Sequence, residues 1–222
     1  MTLINSVILK CPNCSHLLEA IELQSFHLFK SEVFSDGKID STPLIPDVSE
    51  ILICTDCNTD FWREDAVCLN SDQGSDLGAL PANQPSDLFL SFNCESRLSI
   101  SKYYNKLLSR GFADTYEKEV YLRTLLWHEL NNIIRYKAKI DDIQFHEYES
   151  LLANNLKGFI SIYKPACFTE YLFLAEMHRE LGEFDIAKHI LEDIKLQETS
   201  KALKQILKAC GKRDKRVFKI NQ

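Results

Sequence analysis

The amino-acid sequence predicts an α+β protein: a small β domain followed by an all-helical one. Three observations predict it. Two Cys-x-x-Cys pairs fall within the first 57 residues. A short apolar run, SVILKC or EILIC, leads into each pair. Beyond Ser99, glycine and proline become sparse and apolar residues recur at helical spacing.

Residues 1–70 read as short strands and turns. The alternation in IELQSFHLF suits a half-buried strand. Ser35-Asp36-Gly37 is a turn signal, and Pro43 and Pro46 break regular structure before the second cysteine pair. Residues 71–97 form the expected linker. SDQGSDLGALPANQPSD has too few large apolar groups to bury a core of its own, and LFLSF at 88–92 is the part able to dock.

Residues 98–222 form the expected helical domain. Helices are expected over Ser101–Arg110, ended by Gly111, and over Asp114–Lys137, capped by Asp114 or Thr115. A third runs from about Asp142 to Tyr163 and stops before Pro165. Phe168–Leu181 and Glu183–Lys195 are separated by Gly182, which permits a tight reversal. The last spans about Thr199–Cys210, with Thr199 or Ser200 as cap and Gly211 as stop.

The cysteine motif is Cys11-Pro-Asn-Cys14, then 39 residues, then Cys54-Thr-Asp-Cys57. Two residues between cysteines let the backbone turn so that both sulfurs face one point. Two such knuckles supply four thiolates, the closed tetrahedral set of structural Zn2+. The gap exceeds the usual spacing, and a hairpin inserted around Ser35–Gly37 accounts for it. The rival readings are two unrelated reduced pairs, a thioredoxin-like redox site and an iron–sulfur cluster. A redox site expects one pair opening a helix, which Pro12 and the extended flanks disfavour. Asn58 follows the second pair, where a left-handed residue is often needed; Ser15 is the poorer fit in the first. His16 and Cys68 are candidate substitute ligands, and one of Phe61 and Trp62 is expected over the site, with Trp62 as an exposed contact residue the alternative.

Composition is ordinary for a globular protein, with 45% hydrophobic and 26% charged residues. No apolar run reaches the about 18 residues of a membrane helix, and MTLINSVILK lacks the features of a signal peptide, so a cytoplasmic protein is expected. The net charge of -6 is uneven: the segment from Thr199 onward carries +7 and the preceding residues -13. Lys208, Lys212, Arg213, Lys215 and Arg216 are therefore candidate anion or nucleic-acid contacts, against the plainer reading of a solvated basic tail. His128-Glu129 begins a metalloprotease-like motif, but position 132 is asparagine, and the pair reads as helix surface. No nucleophile–base constellation appears, so no enzyme is expected.

Cys-Pro-x-Cys, Ser-Asp-Gly-Lys at 35–38, two spaced prolines, Cys-x-x-Cys and Phe61-Trp62 together resemble the zinc-ribbon head of an uncharacterised bacterial family. Its members carry a tetratricopeptide-like helical tail, as residues 168–195 suggest here through Ala175, Gly182, Phe184 and Ala187. His178 and Thr199 depart from that repeat. The resemblance implies architecture and brings no activity. The function expected from these readings is a non-catalytic, zinc-binding scaffold for a protein partner. The alternative is a nucleic-acid-associated regulator using the ribbon and the basic segment.

Overall fold

The computed structural model describes residues 3–25, 30–42, 48–69, 80–81, 94–195 and 200–221. Pro43, Pro46, the LFLSF run, Thr199 and the end of the IELQSFHLF strand lie outside them. The chain divides into two compact units, one of residues 1–31 and 41–90, the other of residues 32–40 and 91–222. Among the described residues, small, mostly antiparallel strands come first and six helices follow. None of the described helices is long and apolar enough to cross a membrane.

In the first unit, β1 (Leu3–Lys10) and β2 (Leu17–Ser25) form an antiparallel hairpin. β7 (Val67–Leu69) adds antiparallel to β1, and the two-residue β8 (Leu80–Pro81) adds parallel to β2. β5 (Ile51–Ile53) and β6 (Asp60–Trp62) form a second hairpin. Leu9, Leu18, Ala20, Leu52 and Phe61 make one core with Cys11 and Cys54. Neighbouring strand residues point to opposite faces, so only one of Phe61 and Trp62 can face the cysteines. Phe61 does so. Trp62 is also buried, which excludes the alternative of an exposed contact residue.

β3 (Lys30–Val33) and β4 (Ile39–Thr42) form a hairpin whose tip belongs to the helical unit. Gly37 turns it at φ +82°. A Cβ there would sit 2.5 Å from the Phe173 ring, so both backbone and space require glycine.

In the helical unit, α1 spans Cys94–Ser109 and begins well before the expected Ser101. Its serines hid the first turns: Ser99 and Ser101 turn their hydroxyls back onto the carbonyls of Glu95 and Arg97, which is compatible with a helix. Gly111, at φ +71°, ends it as expected, with Phe112 N–H reaching Leu107 O. α2 (Tyr116–Arg135) is capped by Thr115. α3 (Asp142–Ile162) starts from a capping box in which Asp141 and Gln144 satisfy each other's backbone N–H. α4 (Phe168–Glu180) and α5 (Phe184–Lys195) are joined through Gly182. Ala175, Phe184, Ala187 and Leu191 share a core with Leu203, Ile206 and Cys210 of α6 (Lys201–Gly211). Ser200 caps α6. Gly211 remains helical; Arg213 takes the left-handed position expected of it, since Arg213 N–H reaches Cys210 O and Asp214 N–H reaches Ala209 O.

The basic segment after α6 is held in place. Val217 and Ile220 are buried, Phe34 pairs antiparallel with Lys219, and Ile220 N–H donates to Val33 O.

Candidate metal centre

Each cysteine pair forms the tip of a hairpin, and the two tips have the same backbone. Ser15 N–H donates to Cys11 O at 3.0 Å, as Asn58 N–H does to Cys54 O at 2.9 Å. Cys11 N–H reaches His16 O at 2.9 Å, and Cys54 N–H reaches Thr59 O at 3.0 Å. Both knuckles need a left-handed residue after the second cysteine, supplied by Ser15 at φ 66° and Asn58 at φ 53°.

The four sulfurs lie within 4.8 Å of one another. Cys11 Sγ is 3.9 Å from Cys57 Sγ, and Cys14 Sγ is 3.6 Å from Cys54 Sγ, so the close pairs cross from one knuckle to the other. Four sulfurs bound at about 2.3 Å to one tetrahedral ion stand about 3.8 Å apart, between those two distances. A disulfide needs about 2.05 Å. Cys11 and Cys54 are buried while Cys14 is exposed, so the cluster is anchored on the core at one side and open at the other. These four cysteines could hold a metal ion, and they are the one such group among the described residues.

Neighbours tune the sulfurs. The Asn13 amide donates to Thr59 Oγ1, and the Thr59 hydroxyl lies 3.3 Å from Cys57 Sγ. The Thr59 hydroxyl, then Asn13, bring the Cys57 thiol down to about 6. At Cys14 a backbone bond near His16 pulls downward, but burial and the three neighbouring sulfurs outweigh it and push the thiol up to about 12. Burial raises the Cys54 thiol as well. His16 and Cys68 stand outside the cluster, Cys68 exposed on β7.

A second polar cluster, in the helical unit, was read from the sequence only as a turn and a helix surface. Asp36 is 1% exposed. Its carboxylate meets Arg135 and accepts from Asn131 at 3.0 Å, and its carbonyl lies 3.1 Å from His128 Nε2. Lys38 donates to Asn132, and Arg97 grips both oxygens of Glu129 at 2.9 and 3.1 Å. The His128-Glu129 pair is therefore no helix surface: the Ser35–Lys38 turn covers that face of α2. Glu180 accepts from Trp127 Nε1 at 2.8 Å and from Asn131. Burial, then Glu176, holds its carboxyl well above the usual range. Burial keeps His128 below its ordinary value. The visible signal was Trp127, Asn131 and Arg135 at four-residue intervals along α2, polar groups that need partners when buried.

The basic candidates do not converge on one point. Lys208 and Lys212 are exposed. The Arg213 guanidinium lies 4.9 Å from the Phe184 ring, Lys215 is 3.8 Å from Glu149, and Arg216 makes two 2.9 Å bonds to Asp214. That Arg216 pairing holds the Asp214 carboxyl down at about 2.

Fold and site together define a β unit with four cysteines clustered as in a zinc ribbon, on the same chain as a helical unit with six helices among its described residues. Compared with known proteins, the chain matches no family model, no curated protein and no solved structure.

Proposed function

We propose that the cysteine cluster is a structural Zn2+ site and that the protein is a non-catalytic scaffold for a protein partner. The observation that carries the metal reading is the equivalence of the two knuckles, which bring four sulfurs within 4.8 Å of one another. Four thiolates fill a tetrahedral ion, leaving no position for water or substrate, so such an ion acts on folding rather than catalysis. Sulfur-only ligation favours zinc or an iron–sulfur centre over hard cations. The α4–α5 pair, with Ala175 and Ala187 fully buried between the helices, supports the tetratricopeptide-like reading and with it the bacterial family resemblance.

Elemental analysis of freshly purified wild type and Cys54→Ser tests the metal. About one zinc per chain, lost in the variant, is expected. Iron in its place, or no metal, overturns it. The scaffold reading expects a protein partner bound with no turnover.

A second reading, a nucleic-acid-associated regulator, is favoured by Lys201, Lys204, Lys208 and Lys212, all exposed and spaced along one face of α6 and its end. It expects oligonucleotide binding that weakens steeply with salt and is lost on Lys/Arg→Ala changes at 212–216.

A further inference from the structure

The helical unit contains a cavity of about 200 Å³ that none of the readings above uses. One wall is a single face of α3: Phe145, Tyr148, Leu152 and Ala153 fall at the spacing that brings helical residues onto one side. Ile134 of α2 and Leu181, at the end of α4, close it opposite. An apolar cavity of about 150 Å³ accepts a benzene ring, so this one has the volume for a single bulky side chain.

Its charged lining is balanced, and the excess positive charge lies beside it in the sequence. Lys215 and Arg216 also line it. From them the chain runs back through exposed Arg213 and Lys212 to the exposed Lys208 and Lys204 on one face of α6, a basic run in the sequence. Glu149 pairs with Lys215, and Asp214 pairs with Arg216. Glu180 also lines the cavity, with its oxygens engaged by Trp127 and Asn131.

We propose that this cavity is the anchor pocket for an acidic linear segment of a partner protein. One bulky apolar side chain enters between α3 and Leu181, and the acidic residues that follow it lie along Lys215, Arg216, Lys212 and Lys208. The proposal rests on the scaffold reading and gives its partner a chemistry. The basic residues alone would also suit a nucleic acid; the apolar face of α3 beside them favours a segment that carries one bulky apolar side chain. An apolar anchor with a flanking charged run is a recurrent way for helical surfaces to hold peptides.

The test is a nitrogen–proton correlation titration of the full-length, zinc-loaded protein. The probe is an acetylated peptide of one tryptophan followed by a run of glutamates; the control replaces glutamate with lysine. Shifts at Tyr148, Leu152, Leu181 and Lys215 are expected with the acidic probe, together with contacts from its indole to the Leu152 and Leu181 methyls. Ala153→Phe, which fills the cavity from its half-exposed rim, and Lys215→Glu are each expected to weaken binding about tenfold. The indole-to-methyl contacts are read on wild type, so they decide the matter even if a variant misfolds. Unmoved cavity resonances into the millimolar range overturn the proposal, as does equal binding by Ala153→Phe. Tighter binding of a single-stranded oligothymidylate that ignores Ala153→Phe also overturns it, in favour of nucleic acid. A protein partner that still binds Ala153→Phe removes the pocket while leaving the scaffold reading intact.

Discussion

Asp36 and Arg135 stand 99 positions apart and form an ion pair in which neither side chain has any solvent exposure. The pair fastens the tip of the β3–β4 hairpin to the last turn of α2. Taking two charges out of water is costly, and their attraction repays it only when the remaining hydrogen-bonding capacity is filled. Here Asn131 fills one carboxylate site and Asn132 accepts from the Arg135 guanidinium, which lies 4.5 Å from the Phe34 ring, while the buried Arg135 Nε–H finds no acceptor among the described residues.

Removing one partner leaves the other charged and buried. Asp36→Ala is therefore expected to destabilise the helical unit by about 3–5 kcal/mol. Urea unfolding followed by Trp127 fluorescence reads it. A loss below about 1 kcal/mol would mean that Arg135 finds solvent or another acid, and the turn would then be a minor contact.

Gly37 carries a second, separable penalty. Gly37→Ala puts a methyl 2.5 Å from Phe173 and forces a side chain at φ +82°. Overpacking of this kind costs about 1–3 kcal/mol, and the left-handed backbone adds about 1–2 kcal/mol. Adding Phe173→Ala should recover the packing part and leave the backbone part. A double variant no better than the sum of the two singles would show that the clash is relieved elsewhere.

Asp36 and Glu180 make opposite contributions to pH dependence. Burial raises Asp36, but Arg135, His128 and Asn131 outweigh it, so its folded value is depressed. Its stabilisation is present above the unfolded value and is lost as pH falls through the folded one. Glu180 is raised, so the folded state holds its proton more tightly than the unfolded chain does. Its effect on stability turns unfavourable as pH rises above the ordinary glutamate range, about 4.3. Glu180→Gln keeps an oxygen for Trp127 and Asn131 without the charge. It should flatten the fall in stability between about pH 5 and pH 8 and leave the variant at least as stable as wild type at the upper end. A steeper fall in thermal unfolding profiles would show that Glu180 is ionised and stabilising.

The fold class and the cysteine cluster were legible because each rests on a local pattern. Two Cys-x-x-Cys turns after apolar runs, and apolar residues at helical spacing, need no knowledge of what they pack against. What stayed hidden depends on distant partners. The start of α1 was obscured because Ser99 and Ser101 look like breakers until their hydroxyls find carbonyls one turn back. The role of Asp36 was obscured because a turn signal looks the same whether its tip is solvated or buried beneath Asn131 and Arg135. The basic segment read as a tail because charge dominates its composition, whereas Val217 and Ile220 decide its packing.

The knuckles differ in one respect that can be corrected. Ser15 occupies at φ 66° the position that Asn58 occupies at φ 53°, and serine tolerates it less well. Ser15→Gly should stabilise the first unit by about 1 kcal/mol, and Ser15→Val should destabilise it by at least as much. Thermal unfolding of the metal-loaded protein measures both. No gain with glycine would mean that the serine side chain makes a bond worth as much as the strain.

Thr59 provides a way to weaken the centre without touching a cysteine. It stands beside Cys57 at 3.3 Å and accepts from Asn13 of the opposite knuckle, also at 3.3 Å. A hydroxyl that donates to a metal-bound thiolate holds the sulfur in place and stabilises its charge. Thr59→Val keeps the branched shape, removes that donor and leaves the Asn13 amide without its acceptor. The Thr59 carbonyl still receives Cys54 N–H, so the knuckle backbone is retained. Loss of such an outer partner typically lowers metal affinity about 10–100-fold. Chelator competition on the loaded protein should show that drop with circular dichroism unchanged. Asn13→Ala should show a smaller one, since its pull on the Cys57 thiol is second to that of Thr59. Equal affinities in all three proteins would mean that the four cysteines alone set the strength of the site.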